Sequence, residues 1–130
     1  MHPIIIAANW KMNKTFQEGL QLAEEIACYL ETNPVANTEV ILFSSFIHLE
    51  AISKLLMPDT RLYLGAQNCH EQIAGAFTGE ISAAMLASVN VCYVLVGHSE
   101  RRQNFGEDNS LLARKIDAIL SCELQPIFCC

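Results

Sequence analysis

Basic residues are scarce in this chain of 130 residues, in which eight Lys and Arg stand against fourteen Asp and Glu and give a net charge of −6. This balance provides no positive field for a phosphate backbone, so nucleic acid is not expected as a partner. Long hydrophobic runs are also missing, because no stretch approaches the ~20 apolar residues of a membrane-spanning helix. Residues 1–6 lack the basic segment that opens a signal peptide. The composition therefore predicts neither a nucleic-acid-binding protein nor a membrane protein.

Cysteine pairs with recognisable spacing are absent as well. The chain has six cysteines, but they form no CxxC pair and no group with the spacing of metal ligands. We therefore expect reduced thiols in the core of a cytoplasmic protein, with no bound metal. His48 and His70 carry no metal-ligand spacing either and are expected to be ordinary surface or helix residues.

Apolar residues are abundant, at 52% of the chain, which is enough to build one sizeable core over residues 1–130. Apolar segments without polar alternation recur along the chain and predict β-strands at residues 4–8, 40–43, 62–66, 91–96 and 126–130. Segments with helical periodicity separate these strands, and the first of them begins with a capping box formed by Thr15 and Glu18. Strands and helices that alternate in this way predict a parallel sheet covered by helices.

The spacing of the strands favours one α/β architecture. Each strand and helix unit takes roughly 30 residues, as in a (β/α)8 barrel, where eight units take about 250 residues. A doubly wound sheet would have the same order of elements along the chain. Because Cys130 lies within the fifth predicted strand, we expect a partial (β/α)8 barrel of about four βα units plus a fifth strand, which belongs to a longer fold.

Polar residues gather at the ends of two predicted strands. Asn9 and Lys11 follow the first strand, and His98 and Glu100 follow the fourth. Because the carboxyl ends of parallel strands share one rim, where ligand sites form, we predict that these side chains converge on an active site. The residues alone leave other interpretations open: Lys11 as a surface charge, Asn9 and His98 as turn residues, and Glu100 as a solvated carboxylate.

The connection from Gln67 to Glu80 is long and has no helical pattern. Loops of this length are usually functional, although the glycines on either side of Phe77 and Thr78 also suit a flexible turn. Glu80 at its end and Arg101 carry opposite charges and are candidates for a structural ion pair near the base of the loop.

Five motifs occur in a specific order, namely NWKMN at 9–13, GAQN at 65–68, GAFTGEIS at 75–82, VGHSERR at 96–102 and FGE at 105–107. With these motifs, the chain resembles the N-terminal half of the triosephosphate isomerase family over its whole length. The resemblance implies a homodimeric (β/α)8-barrel isomerase of glycolysis and gluconeogenesis that interconverts dihydroxyacetone phosphate and glyceraldehyde 3-phosphate. The implied mechanism passes through an enediolate and uses no metal or organic cofactor. The family's catalytic-base glutamate, lid and Gly-rich phosphate loops correspond to positions beyond residue 130.

The resemblance also implies roles for the polar residues at the strand ends. Asn9 and Lys11 would bind the phosphorylated three-carbon substrate, and Lys11 would stabilise negative charge on its oxygens. His98 would donate a hydrogen bond to the enediolate, and this family is itself a familiar illustration of a neutral histidine in that role at a helix N-terminus. Glu100 would hold Lys11 in position, with Ser99 in a supporting role.

The resemblance assigns the long loop to dimerisation, with Phe77 and Thr78 inserted beside the partner's active site. Residues 1–130 alone are expected to be inactive, because the catalytic base lies elsewhere. The alternative hypothesis is a noncatalytic half-barrel that associates with a second copy through its open sheet edges.

Overall fold

A computed structural model describes residues 3–56 and 61–130. Its strands are β1 (Ile4–Asn9), β2 (Thr38–Ser44), β3 (Leu62–Ala66), β4 (Tyr93–Val96) and β5 (Gln125–Phe128). Its helices are α1 (Phe16–Thr32), α2 (Phe46–Ser53), α3 (Ala83–Ser88), α4 (Ser99–Phe105) and α5 (Asn109–Ser121). The strands form one parallel sheet in the order β1-β2-β3-β4-β5. This sequential order confirms the partial (β/α)8 barrel and excludes a doubly wound sheet, in which the strand order reverses.

The helix boundaries follow from local capping. At the start of α1, the Glu18 carboxylate accepts hydrogen bonds from the backbone N–H and the hydroxyl of Thr15, both at 2.8 Å, which confirms the predicted capping box. At the start of α5, the Asp108 carboxylate accepts a hydrogen bond from the backbone N–H of Leu111 at 2.8 Å. These caps satisfy N–H groups that lack a partner within the helix.

The core lies on both faces of the sheet, because successive side chains of a strand point to opposite faces. Between the sheet and the helices, fully buried residues include Leu42, Leu64, Val94, Ile52, Leu86 and Ile119. The other face, which corresponds to the barrel interior, is covered by a smaller cluster of Ile41, Phe43, Tyr93 and Leu95. Gly65 is required in this cluster, since a Cβ there would lie 2.4 Å from the Phe43 ring.

The two edge strands expose apolar side chains. Ile4, Ile5 and Ile6 of β1 have 62%, 47% and 50% of their surface accessible, and Phe128 of β5 has 48%. β1 and β5 are the first and last strands of the sheet. The described part of the chain is therefore an open half-barrel with apolar edges.

The expectation for the cysteines was wrong in part, and that for His48 held as a helix residue. His48 lies in α2, the second of the two expected places, and it is completely buried because Gly19 of α1 has no side chain and leaves room for the imidazole ring. Of the cysteines, Cys69 is buried in the core, and the burial raises the pKa of its thiol to about 11. Cys92, Cys122 and Cys129 are half-buried against the core, whereas Cys28 and Cys130 are exposed. Cys28 is exposed because it lies on the solvent side of α1, opposite the buried Ala23 and Ala27.

Candidate active site

The polar side chains that follow β1 and β4 meet at one rim of the sheet. Asn9, Lys11, His98 and Glu100 all line a cavity of about 490 Å³, together with Gln67, which follows β3. The convergence expected from their places at the carboxyl ends of parallel strands is therefore present. Ser99 is the exposed first residue of α4 and does not line this cavity.

The Lys11 ammonium contacts the Glu100 carboxylate, with Nζ 2.7 Å from Oε1. This hydrogen bond lowers the pKa of Glu100 below its usual range. Both side chains are about half exposed, and ion pairs so open to water contribute little to folding stability. The value of the contact is geometric, since it fixes the end of a long, flexible lysine side chain against α4.

The backbone of Lys11 is also held. Its φ is +56°, a left-handed conformation that costs a non-glycine residue about 1–3 kcal/mol. Its N–H donates to Asn9 Oδ1 at 2.9 Å, and its carbonyl accepts hydrogen bonds from Gln67 Nε2 at 2.8 Å and from Ser45 Oγ at 3.4 Å. Three neighbouring segments thus impose a conformation that Lys11 would not adopt by itself.

Gln67 is a residue to which the sequence motifs assigned no role. Its side-chain amide donates to the Lys11 carbonyl and to the Phe43 carbonyl, the latter at 2.9 Å. The signal that could have identified it was its place directly after an apolar strand, the same signal that identified Asn9 and Lys11.

His98 occupies the N-cap position of α4, and its ring reaches the cavity. Nδ1 accepts a hydrogen bond from the backbone N–H of Glu100 at 3.3 Å. An accepting Nδ1 assigns the proton of the neutral imidazole to Nε2. The backbone N–H of Glu100 at the start of α4 therefore favours the tautomer in which Nε2, on the other side of the ring, carries the proton and can donate it.

A buried ionic network lies behind this rim. Arg101 Nε donates to Glu107 Oε1 at 2.7 Å, and Lys115 Nζ contacts both the same carboxylate and Asn68 Oδ1, the latter at 2.7 Å. Burial alone would raise the pKa of Glu107, but the hydrogen bonds from Lys115 and Arg101 outweigh it and hold that pKa below its usual value. The network links α4, α5 and the end of β3.

This network corrects the expected pair of Glu80 and Arg101. Gly106 adopts a left-handed φ of +65° at the end of α4, so the chain reverses and places Glu107 against Arg101. Glu80 lies exposed in the long loop. The sequence did not indicate the role of Lys115, because a single lysine in an amphipathic helix looks like an ordinary surface charge.

The long loop is exposed throughout residues 72–80. Its tip is nevertheless organised, since the Phe77 ring packs on His70 with 4.3 Å between ring centroids. Gly75 and Gly79 adopt positive φ values of 144° and 93°, which suit glycine. Phe77 still has 43% of its surface exposed.

Residues 3–56 and 61–130 contain neither a cluster of metal-ligating side chains nor a membrane-spanning helix. No three His, Cys, Asp or Glu side chains lie close enough to share a metal ion. Within the same ranges, no helix combines the length and the apolar character that crossing a membrane demands.

The fold and the site thus define the class as a partial (β/α)8 barrel with a lysine and a histidine at the carboxyl-terminal rim of its strands. A family model described as triosephosphate isomerase matches residues 4–130. The chain belongs to the triosephosphate isomerase family.

Individual relatives agree with this assignment. The chain is 73% identical to triosephosphate isomerase of Amoebophilus asiaticus over 130 residues, and 48% identical to that of Cytophaga hutchinsonii. Each match covers 100% of this chain and 51% of the relative. The solved structure of triosephosphate isomerase from Bartonella henselae superposes with a TM-score of 0.89 at 32% identity, covering 100% of this chain and 52% of that one. The chain thus spans about half the length of the curated relatives it matches.

We predict that Glu107→Gln lowers the free energy of unfolding at pH 7 by about 3–5 kcal/mol, because the buried Lys115 loses its counter-charge. The native carboxylate has a lowered pKa, so its stabilising contribution is complete above the ordinary carboxyl pKa of about 4.3 and is lost as the pH falls through the lowered value. The difference between the two proteins should therefore shrink in acid. Urea unfolding at a series of pH values measures it.

The matched control is Glu80→Gln, which changes an exposed carboxylate and should alter stability by no more than about 0.5 kcal/mol. Equal effects of the two substitutions would show that the Glu107 network does not stabilise the fold.

Proposed function

We propose that the chain forms the N-terminal half of a single barrel domain in a triosephosphate isomerase. This enzyme interconverts dihydroxyacetone phosphate and glyceraldehyde 3-phosphate through an enediolate, as a step of glycolysis and gluconeogenesis in the cytoplasm. The observation that carries the proposal is the meeting of Lys11 and His98 in one cavity at the carboxyl ends of the strands. No metal or organic cofactor takes part.

The chemistry needs positive charge and a hydrogen-bond donor where the substrate becomes negative. Lys11 supplies a fixed cation whose Nζ is anchored on Glu100, and Asn9 lies beside it in the cavity. His98 supplies an Nε2–H that donates to the enediolate oxygens, because its Nδ1 is occupied by the N–H of Glu100. Groups held in place before the reaction stabilise developing charge without reorganisation.

The described residues, 3–56 and 61–130, offer no suitable general base for this reaction. Among the described residues, Glu100 is the only carboxylate that lines the cavity, and its lowered pKa makes it a weak base. Glu107 is buried in its ionic network, and Glu71 pairs with Arg114 in a different part of the surface. We therefore propose that the base comes from another part of the barrel.

We predict that Lys11→Met lowers kcat/KM for triose phosphate by about 10²–10³-fold, the usual effect of removing one preorganised electrostatic group. The test protein is a chimera in which residues 1–130 are joined to the C-terminal portion of the Amoebophilus asiaticus relative. Lys14→Met is the control, because Lys14 stands in the same loop but does not line the cavity.

The unchanged chimera should isomerise the substrate in both directions, and Lys14→Met should retain its activity. An inactive but folded chimera, or equal losses from both lysine substitutions, would contradict the proposed function.

We further propose that the enzyme is a homodimer and that the loop from Gln67 to Glu80 docks into the second subunit. Its exposed and internally packed tip supports this proposal. Replacing residues 75–79 of the chimera with a short glycine linker should produce monomers with poor activity. Analytical ultracentrifugation measures the mass, and a dimer that persists with the shortened loop would refute the docking role.

A noncatalytic, self-associating half-barrel is the second candidate, favoured by the exposed isoleucines of β1 and by Phe128 on β5. We predict that purified residues 1–130 form oligomers and show no isomerase activity until the missing half of the barrel is added in trans. Sedimentation and a coupled assay test the two parts separately. Full activity of residues 1–130 alone would overturn the assignment of the base, with Glu71 and Glu107 as the carboxylates to substitute next.

A further inference from the structure

His48 is a fully buried polar residue that the proposed chemistry does not use. Its Nε2 lies 3.0 Å from the backbone carbonyl of Thr15, the N-cap residue of α1. A carbonyl oxygen can only accept, so Nε2 must carry the proton and donate it. A side chain of α2 thereby holds the start of α1.

The ring of His48 is enclosed by the segment that runs from Trp10 to Gly19. Trp10 meets it edge-on with 6.0 Å between ring centroids and an interplanar angle of 66°. On another side the ring lies against Gly19, where a Cβ would come within 2.5 Å of the imidazole. The contacts with Trp10, Thr15 and Gly19 fix both the start and the end of the segment.

This segment contains Lys11. Trp10 directly precedes Lys11, whose left-handed backbone needs external support. Ser45, the N-cap residue of α2, provides part of that support through its hydroxyl at 3.4 Å from the Lys11 carbonyl. His48 lies one helical turn farther along α2. The first turn of α2 therefore contacts the segment on both sides of Lys11.

Packing alone does not account for an imidazole here. Among the described residues, His48 Nδ1 is a buried polar atom without a hydrogen-bond partner, and such atoms are costly. A hydrocarbon side chain would fill the space without that cost, whereas it could not donate to Thr15.

We propose that His48 is a positioning residue, which holds the segment from Trp10 to Gly19 and through it the substrate-binding side chain of Lys11. Only the expected effect on catalysis rests on the proposed function. The hydrogen bond and the ring contacts act on the segment whether or not substrate is present.

The test compares variants of the chimera by hydrogen–deuterium exchange and by steady-state kinetics. His48→Leu, which removes the donor, should speed exchange in residues 10–19 about tenfold and lower kcat/KM by a similar factor, the effect of one lost neutral hydrogen bond. His48→Gln, whose amide N–H can still reach the Thr15 carbonyl, should restore both. Ile52→Val, a fully buried change on the same helix, should leave both unchanged.

A second variant keeps the test decisive if His48→Leu does not fold. Gly19→Ala favours the α1 helix by propensity, but its Cβ would displace the His48 ring, so it should speed exchange in residues 10–19 more than in the rest of the chain. Unchanged exchange in both variants, or failure of His48→Gln to restore it, would overturn the proposal. Should the parent chimera be inactive while exchange responds as expected, the proposed function fails and the positioning of the segment stands.

Discussion

The rim of the candidate active site depends on one strained residue, because Lys11 adopts a left-handed backbone conformation that its side chain disfavours. A strained residue keeps its conformation only where its surroundings impose it. Here Asn9 and Gln67 hold the backbone with hydrogen bonds at 2.9 and 2.8 Å, and Glu100 holds the ammonium. The cation is therefore placed by three different strand ends, and the ion pair with Glu100 is the last of several constraints rather than the principal one.

The same arrangement explains why a buried ionic network lies behind the rim. Arg101 stands next to Glu100 on α4, and Asn68 stands next to Gln67 after β3. Lys115 and Glu107 join Arg101 to Asn68 inside the fold. Replacing a whole network of this kind by apolar residues of similar volume often leaves stability unchanged, whereas removing one partner destabilises the fold. The directional contacts of the network fix the relative positions of the two segments that hold Lys11.

The sequence predicted the parts of this structure that depend on local pattern. Apolar runs located the strands, Thr15 with Glu18 located the start of α1, and polar residues at strand ends located the rim. What it could not predict depends on contacts between distant residues. Glu80 and Glu107 are equally plausible partners for Arg101 until the left-handed turn at Gly106 is known. Likewise, the burial of His48 depends on the absence of a side chain at Gly19, 29 positions away (48 − 19).

The distribution of charge in the cavity gives a physical reason for the proposed enzyme to hold its cation and its catalytic base in different halves of the barrel. Lys11 and Arg101 bring positive charge to the cavity, and Glu100 is occupied by Lys11. A free carboxylate base placed on these same strand ends would pair with Lys11 and lose basicity, as Glu100 does. A base contributed from the far side of the barrel can face the substrate without that partner. The electrophilic groups and the base are therefore best held on separate strands, with the substrate between them.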